Sequence, residues 1–247
     1  MLSKTHTKYI QSLQHKKFRD ESGVFIAEGP KVVLDLLASR KFICVSVFAD
    51  EQWLKDNEDL TKNNSDTSVE TVKDFELKKI SALATPNSVL AIFEQQKQET
   101  VIKLSKKITL VLDTIQDPGN LGTIIRIADW FGVQNIICST TSADMYNPKV
   151  VQSTMGSLAR VNIIYTHLDN WLGANHKIRI YAATLDGKDI RSLPSIDEAI
   201  LIIGNEANGI SDTVMQFVNE KITISKKGRA ESLNAAVAAG IILSHIS

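Results

Sequence analysis

Ile222 to Ser247, ITISKKGRAESLNAAVAAGIILSHIS, decides how the rest of this chain is read. It opens with a β-rich run, Ile222-Thr223-Ile224, crosses a polar loop containing Gly228, and enters an Ala/Val/Ile-rich helix at Ser232-Leu233-Asn234. No polar face is evident from Ala235 to Leu243, so the expectation is a buried helix. A polar start on such a helix sets unpaired backbone N–H groups and two hydrogen-bonding side chains beside a loop, an arrangement able to hold a ligand. An ordinary N-cap on a core helix accounts for the same residues.

Two further stretches repeat the strand-to-polar-turn pattern. Leu110 to Phe131, LVLDTIQDPGNLGTIIRIADWF, runs from a buried-strand pattern through Asp-Pro-Gly-Asn into a helix that carries Arg126. Ala199 to Ser211, AILIIGNEANGIS, is an apolar strand broken by Gly204-Asn205-Glu206 and Gly209. Together the three give Asn-x-Gly-x-x-x-Arg, then Gly-x-Glu-x-x-Gly, then Gly-x-x-x-Ser-Leu-Asn. This combination resembles the SpoU/TrmH family, the SPOUT class of RNA 2′-O-ribose methyltransferases. The matching residues are Asn120, Gly122 and Arg126; Gly204, Glu206 and Gly209; and Ile224, Gly228, Ser232, Leu233 and Asn234.

Length and composition agree with a globular chain. At 247 residues and 43% hydrophobic it can bury a substantial core. No apolar run approaches the roughly 20 residues that span a bilayer, and the N-terminus lacks the apolar core of a signal peptide. No membrane association and a cytoplasmic location are expected. Cys44 and Cys138 lie in apolar runs far apart, which favours buried free thiols, and the five histidines show no ligand spacing, so no metal is assigned.

The formal net charge is zero, whereas nucleic-acid-binding proteins are often basic. The distribution is uneven: Lys4, Lys8, Lys16, Lys17 and Arg19 stand in the first 19 residues without an acidic side chain. Such a terminus can be a basic binding face or simply solvated.

Along the chain, helix and strand signals alternate. Ser3 to Leu13 is expected as a capped helix, HKKFRDES as a polar segment, and Gly23 to Ile26 as a strand, followed by a helix opened by Pro30 with Val32, Val33, Leu36 and Leu37 as its apolar stripe. Phe42–Phe48, Val69–Val72 and Ser88–Phe93 read as strands, Glu51–Leu60 and Asp74–Leu83 as helices, and Lys62–Thr67 as a loop. The polar stretch Gln95–Lys107 marks the boundary, giving a first domain over 1–97, a linker over 98–107 and a second domain over 108–247. In the second domain Ile108–Leu112, Gln134–Cys138, Val161–Tyr165, Ile178–Ala183, Ile200–Ile203 and Ile222–Ile224 are strand candidates, most of them continuous apolar runs. That pattern is the signature of a parallel sheet buried on both faces, hence an α/β fold with a mostly parallel sheet.

Other nucleotide and hydrolase chemistries fit poorly. Gly119-Asn-Leu-Gly122 lacks the full G-x-G-x-x-G of a dinucleotide site, no P-loop signature is present, and no G-x-S-x-G elbow surrounds Ser157 or Ser232.

The resemblance carries its own implications. It implies S-adenosyl-L-methionine as cofactor, with Gly204, Ile224 and Leu233 lining its pocket and Thr184 and Gly187 nearby, although Ile224 and Leu233 also suit core packing. It implies methyl transfer to a ribose 2′-hydroxyl, with Arg126 as the catalytic residue and Asn120, Glu206, Ser232 and Asn234 orienting it and the ribose. Because a guanidinium almost never loses its proton, Arg126 is better read as gripping an RNA phosphate and stabilising a developing alkoxide than as a base. A structural salt bridge, for example with Asp129, is the alternative. The resemblance further implies a C-terminal trefoil knot, a homodimer, and an N-terminal substrate RNA-binding domain, which HKKFRDESGVFIAEGPKVV also resembles. Lys16, Lys17 and Arg19 are the candidate RNA contacts, and the appended domain points to ribosomal RNA. Transfer RNA, or RNA binding without catalysis, are the competing readings. Two departures from the family pattern concern loop shape: Ser225-Lys226 stands where proline and an apolar residue are usual, and Ala207-Asn208-Gly209-Ile210 ends the second motif.

Overall fold

The computed structural model describes residues 2–59, 67–96, 104 and 106–247. The loop expected over 62–67 and the linker over 98–107 fall mainly outside them. The chain divides into two compact units, Met1–Lys97 with Asp144–Arg160, and Gln98–Ala143 with Val161–Ser247. Residues 144–160, expected in the second domain, therefore belong with the first unit.

In the first unit the helix Lys4–Ser12 starts at Ser3, whose Oγ accepts the His6 N–H. The polar segment after it contains a second helix, Lys16–Ser22, ended by Gly23 in the left-handed region (φ 67°). Strand β1 (Val24–Glu28) is buried throughout, and Pro30 opens the helix Pro30–Ser39, which buries the four expected apolar residues. Strands β2 (Cys44–Ala49), β3 (Ser68–Thr71) and β4 (Val89–Glu94) complete a sheet of order β1-β4-β2-β3, in which β4 runs antiparallel to β1 and β2 while β2 and β3 are parallel.

Contacts on four residues, Asp144, Tyr146, Gly156 and Arg160, tie the 144–160 segment into this unit. Tyr146 packs against Phe25 with ring centroids 4.7 Å apart. Arg160 Nη1 donates to Asp35 Oδ2 at 3.0 Å, and Gly156, at φ 92°, passes so close to Asp35 that a Cβ would stand 2.3 Å from Oδ2. Arg19 Nη2 donates to Asp144 at 2.6 Å.

The second unit contains β5 (Ile108–Leu112), β6 (Asn135–Ser139), β7 (Asn162–Thr166), β8 (Ile180–Asp189), β9 (Ala199–Ile203) and β10 (Glu220–Thr223), in the order β10-β8-β9-β5-β6-β7. Every neighbouring pair is parallel. All six strand candidates are present, and the central β5, β6 and β9 are buried along their whole length. The helix Leu168–Ala174 places Leu168 and Leu172 in one cluster with Val111, Ile137, Ile200 and Ile202; full burial of one such side chain is worth about 1.5–3 kcal/mol.

On another part of this unit the helices Pro118–Trp130 and Ala235–Ile246 pack together, with the Cβ-less Gly240 against Ile127. The last helix is not wholly buried, contrary to expectation. Ala235, Ala236, Ala239, Ile242, Leu243 and Ile246 face the core, while Val237 (49% exposed) and Ile241 (38%) face out. An all-apolar helix shows no periodicity from which the exposed side could have been read. Cys44 and Cys138 are buried free thiols; burial pushes the Cys44 thiol up to about 11 and the Cys138 thiol higher still.

Candidate active site

Because the sheet is parallel, the polar turns that follow β5, β8, β9 and β10 all leave its carboxyl edge, where open α/β sheets bind ligands. Each turn is built by local capping chemistry. After β5, the buried Asp113 accepts the N–H and the hydroxyl of Ser211 (2.8 and 2.7 Å), which joins the β5 turn to the one after β9. Asp117 caps the helix Pro118–Trp130 by accepting the Asn120 N–H at 2.8 Å, and Pro118 fills the first helical position where no N–H is needed.

The turn after β9 closes on itself. Asn205 and Gly209 exchange backbone hydrogen bonds of 2.9 Å each way, the Asn205 Oδ1 accepts the Ala207 and Asn208 N–H groups, and its Nδ2 donates to the Thr114 carbonyl at 2.9 Å. Gly209 needs its positive φ of 69°. A Cβ on Gly204 would lie 2.5 Å from the Gly209 backbone, so this turn needs its bareness. Gly204→Val would therefore disrupt the turn itself.

The last turn ends at Asn234, the N-cap of the helix Ala235–Ile246. Its Oδ1 accepts the Ala236 and Val237 N–H groups at 3.0 and 3.2 Å. With that oxygen engaged, Nδ2 is left to donate, and it does so to Asn120 Oδ1 at 2.8 Å. Asn120 in turn donates its Nδ2 to Glu206 Oε1. Each amide orientation is thus fixed by the one before it, and the relay ends on a carboxylate. Asn120, Glu206 and Asn234, from three separate motifs, form one chain of hydrogen bonds.

Other predicted site residues stand apart from this chain. Arg126 is exposed on the same helix as Asn120, and among the described residues it has no ion pair or side-chain hydrogen bond, so no Asp129 bridge holds it. Ser232 is exposed, Leu233 is 45% exposed and Ile224 is half-buried. Gly228 has nothing within 4 Å of a would-be Cβ, so sterics do not require glycine there.

Thr184 and Gly187 lie in an irregularity of β8. Ala182 pairs with Lys221 and Lys188 with Ile222, so residues 183–187 bulge from the ladder. Gly187 permits this, since a Cβ would lie 2.5 Å from Ile222 N. Thr184 Oγ1 is buried without a well-formed hydrogen bond, although the threonine helps, after Lys221, to hold the Asp186 carboxyl below its usual range. At the end of β8 Asp189 is held low first by Arg191 and then by Ser225, whose hydroxyl donates to it. Ser225, the residue that replaces the usual proline, thus anchors the loop by a hydrogen bond.

In the first unit the three candidate RNA contacts diverge. Lys16 and Lys17 are exposed and lie one turn from Asp20 and Glu21 on their own helix. Arg19 is 1% exposed and bonds the Leu13 and Gln14 carbonyls as well as Asp144, so it is an internal strut and not an RNA contact. Asp113, Asp117 and Asn205 were not singled out from sequence; only Asp117-Pro118 carries a local signal, that of an N-cap before a first-turn proline.

The three-motif arrangement coincides with a known family. The SpoU rRNA methylase family model matches residues 107–244, more than half of the chain. The chain belongs to this family. An MRM3-like substrate-binding domain matches residues 4–91. Among curated members, the 23S rRNA (guanosine(2553)-2′-O)-methyltransferase RlmP of Bacillus subtilis is 26% identical over 241 residues, covering 96% of this chain and 93% of that protein. A TrmH-family structure from Porphyromonas gingivalis is 35% identical with a TM-score of 0.86, covering 99% of this chain and 98% of that one. An AdoMet-bound rRNA methyltransferase from Sinorhizobium meliloti is 30% identical with a TM-score of 0.89, covering 100% and 96%.

Proposed function

We propose that the second unit transfers a methyl group from S-adenosylmethionine to a ribose 2′-hydroxyl of ribosomal RNA. The observation that carries this reading is the hydrogen-bonded chain Asn234–Asn120–Glu206, which joins the three family motifs at the edge of the sheet where ligands bind. Bound S-adenosylmethionine would supply an electrophilic methyl group on a sulfonium. The residues present fit such a group: the buried Thr184 Oγ1 lacks a well-formed protein partner, and the bulge at 183–187 sets backbone groups beside the ends of β9 and β10. Thr184, Gly187, Ile224 and Leu233 would hold it, and Gly204 would serve by shaping the adjacent turn.

For its part, this chain must orient a weak nucleophile and manage the charge that develops on it. Arg126 presents a planar fork of five N–H donors, so it is suited to a backbone phosphate of the RNA and to the developing alkoxide. Asn120, Glu206 and Asn234, locked in one relay, form a fixed polar wall; Ser232, two residues before Asn234 in the same loop, would offer its hydroxyl to the ribose.

Arg126 lies outside the relay within one chain, and we propose that a second copy completes the site. The exposed apolar side chains Trp130 (84%), Val237 and Ile241 lie on the two packed helices of this unit and support a homodimer. Membership of the family is what supports a C-terminal trefoil knot; the last helix is held to the segment that follows β8, where the Ile196 N–H donates to the Ile246 carbonyl at 2.8 Å and Ser195 Oγ reaches the same oxygen. Among the described residues no helix is long and apolar enough to cross a membrane, and the reading places the protein with its RNA in the cytoplasm.

The reaction is tested with purified protein, methyl-labelled S-adenosylmethionine, and ribosomal or transfer RNA from cells lacking the gene. Label is expected at a single 2′-O position of ribosomal RNA. Label on a base, or none in either RNA, would sink the proposal; label only in transfer RNA would replace the substrate. Sedimentation equilibrium should give twice the 27.3 kDa chain mass, and Val237→Asp with Trp130→Glu should return it to a monomer.

A further inference from the structure

The first unit contains a cavity of about 400 Å³ that takes no part in the chemistry above. All of its lining belongs to that unit, because residues 144–160 fold with it. Its volume lies at the low end of the ~300–1,000 Å³ typical of small-ligand sites. Ile26, Ala82, Leu83 and Pro148 supply its apolar lining. Gln14, Asn147 and Gln152 set amide groups around it.

Glu28 lines the cavity and is 6% exposed. The Ser81 hydroxyl donates to one of its oxygens and the Ala82 N–H to the other at 2.9 Å, which leaves each oxygen a further acceptor site. Among the described residues no cation pairs with it, and burial raises its pKa. A carboxylate buried without a counter-charge is costly unless further donors reach it. Asn147 commits its Oδ1 to the Lys149 N–H, so its Nδ2 can only donate.

Lys149 also belongs to the lining, so the site carries one ammonium as well as the carboxylate and has no net charge, which favours a neutral ligand over a phosphate. It suits a planar group with apolar faces, N–H donors on one edge and acceptors on another. We propose that this cavity holds one unpaired nucleobase of the RNA, with Glu28 accepting from the base's Watson–Crick edge and the amides of Gln14, Asn147 and Gln152 meeting its remaining polar atoms. Guanine, which offers two adjacent N–H donors to a carboxylate, is the preferred base. The inference rests on reading the chain as an enzyme of RNA, and it adds a specificity-determining subsite built from residues of the first unit, none of which takes part in methyl transfer.

The test uses the full chain and fluorescein-labelled single-stranded RNA decamers of uridine whose central position is G, A, C, U or abasic, with affinity read by anisotropy. The G probe should bind at least about fivefold more tightly than the abasic one, the size expected of one good bidentate contact. Glu28→Gln and, separately, the pair Gln14→Ala with Gln152→Ala should abolish that preference while S-adenosylmethionine binding on the same samples is unchanged. Thermal melting reports whether Glu28→Gln still folds, and the amide pair, which leaves Glu28 and its partners in place, stands as the second arm. Equal affinity for all five probes, or a preference that survives the amide pair, overturns the subsite and leaves methyl transfer standing. No RNA binding by a folded, cofactor-binding protein overturns both.

Discussion

The helix Lys16–Ser22 of the first unit and the helix Pro118–Trp130 of the second each carry one arginine, and the two meet opposite fates. Arg19 is enclosed: Nη1 donates to the carbonyls of Leu13 and Gln14 at 3.0 and 2.9 Å, and Nη2 to Asp144 at 2.6 Å. Arg126 is exposed and unpartnered among the described residues. The same fork of donors serves as an internal strut in one place and is left available to a ligand in the other. What separates them is the supply of acceptors, and for Arg19 one acceptor comes from 125 residues further along the chain.

The contrast can be broken by exchanging the effects. Arg126→Ala should reduce methyl transfer by about 10²- to 10⁴-fold, the usual contribution of a charge-stabilising group, while melting temperature and cofactor affinity stay put. Arg126→Lys should recover little, since a point charge does not reproduce a planar fork. Turnover within twofold of wild type would make Arg126 as structural as Arg19.

Arg19→Ala should behave in the opposite way. Removing one partner of a buried pair leaves the Asp144 carboxylate and two carbonyls short of donors, which costs about 3–5 kcal/mol of stability. Urea unfolding of the variant reads that loss, and cofactor binding by the second unit should survive it. A loss below about 1 kcal/mol would mean that Asp144 is rescued by solvent.

The smallest effect belongs to the exposed lysines beside Arg19. If Lys16 and Lys17 meet phosphates, replacing both by alanine should lower the log–log salt slope of RNA binding by roughly 1.4, at about 0.7 per contact on single-stranded RNA. An unchanged slope in a filter-binding salt series would mark them as a solvated face, ion-paired with Asp20 and Glu21.

How much of this was legible from sequence depended on the range of the interactions involved. The six parallel strands were, because burial on both faces leaves a continuous apolar run that local composition reports. The Asn120, Glu206 and Asn234 positions were, through three motifs that resemble a family. Their hydrogen-bonded relay was not, since it joins residues 86 and 114 positions apart. The helix Lys16–Ser22 was missed because it lacks an apolar stripe, and it forms where Arg19 and the Gly23 cap hold it.

The sequence by itself determined the class of the fold, the order of the strands along the chain and the chemistry-bearing motifs, because these rest on periodicity, turn residues and side-chain identity. Tertiary structure alone decided that residues 144–160 join the first unit, since a glycine packed on Asp35, a tyrosine on Phe25 and an aspartate on Arg19 are contacts between segments more than a hundred residues apart. It also decided which face of the all-apolar last helix is exposed and how closely the Gly209 backbone approaches the bare Cα of Gly204. In both cases the deciding quantity is the space left by a neighbour, and neighbours across the fold leave no mark on local sequence.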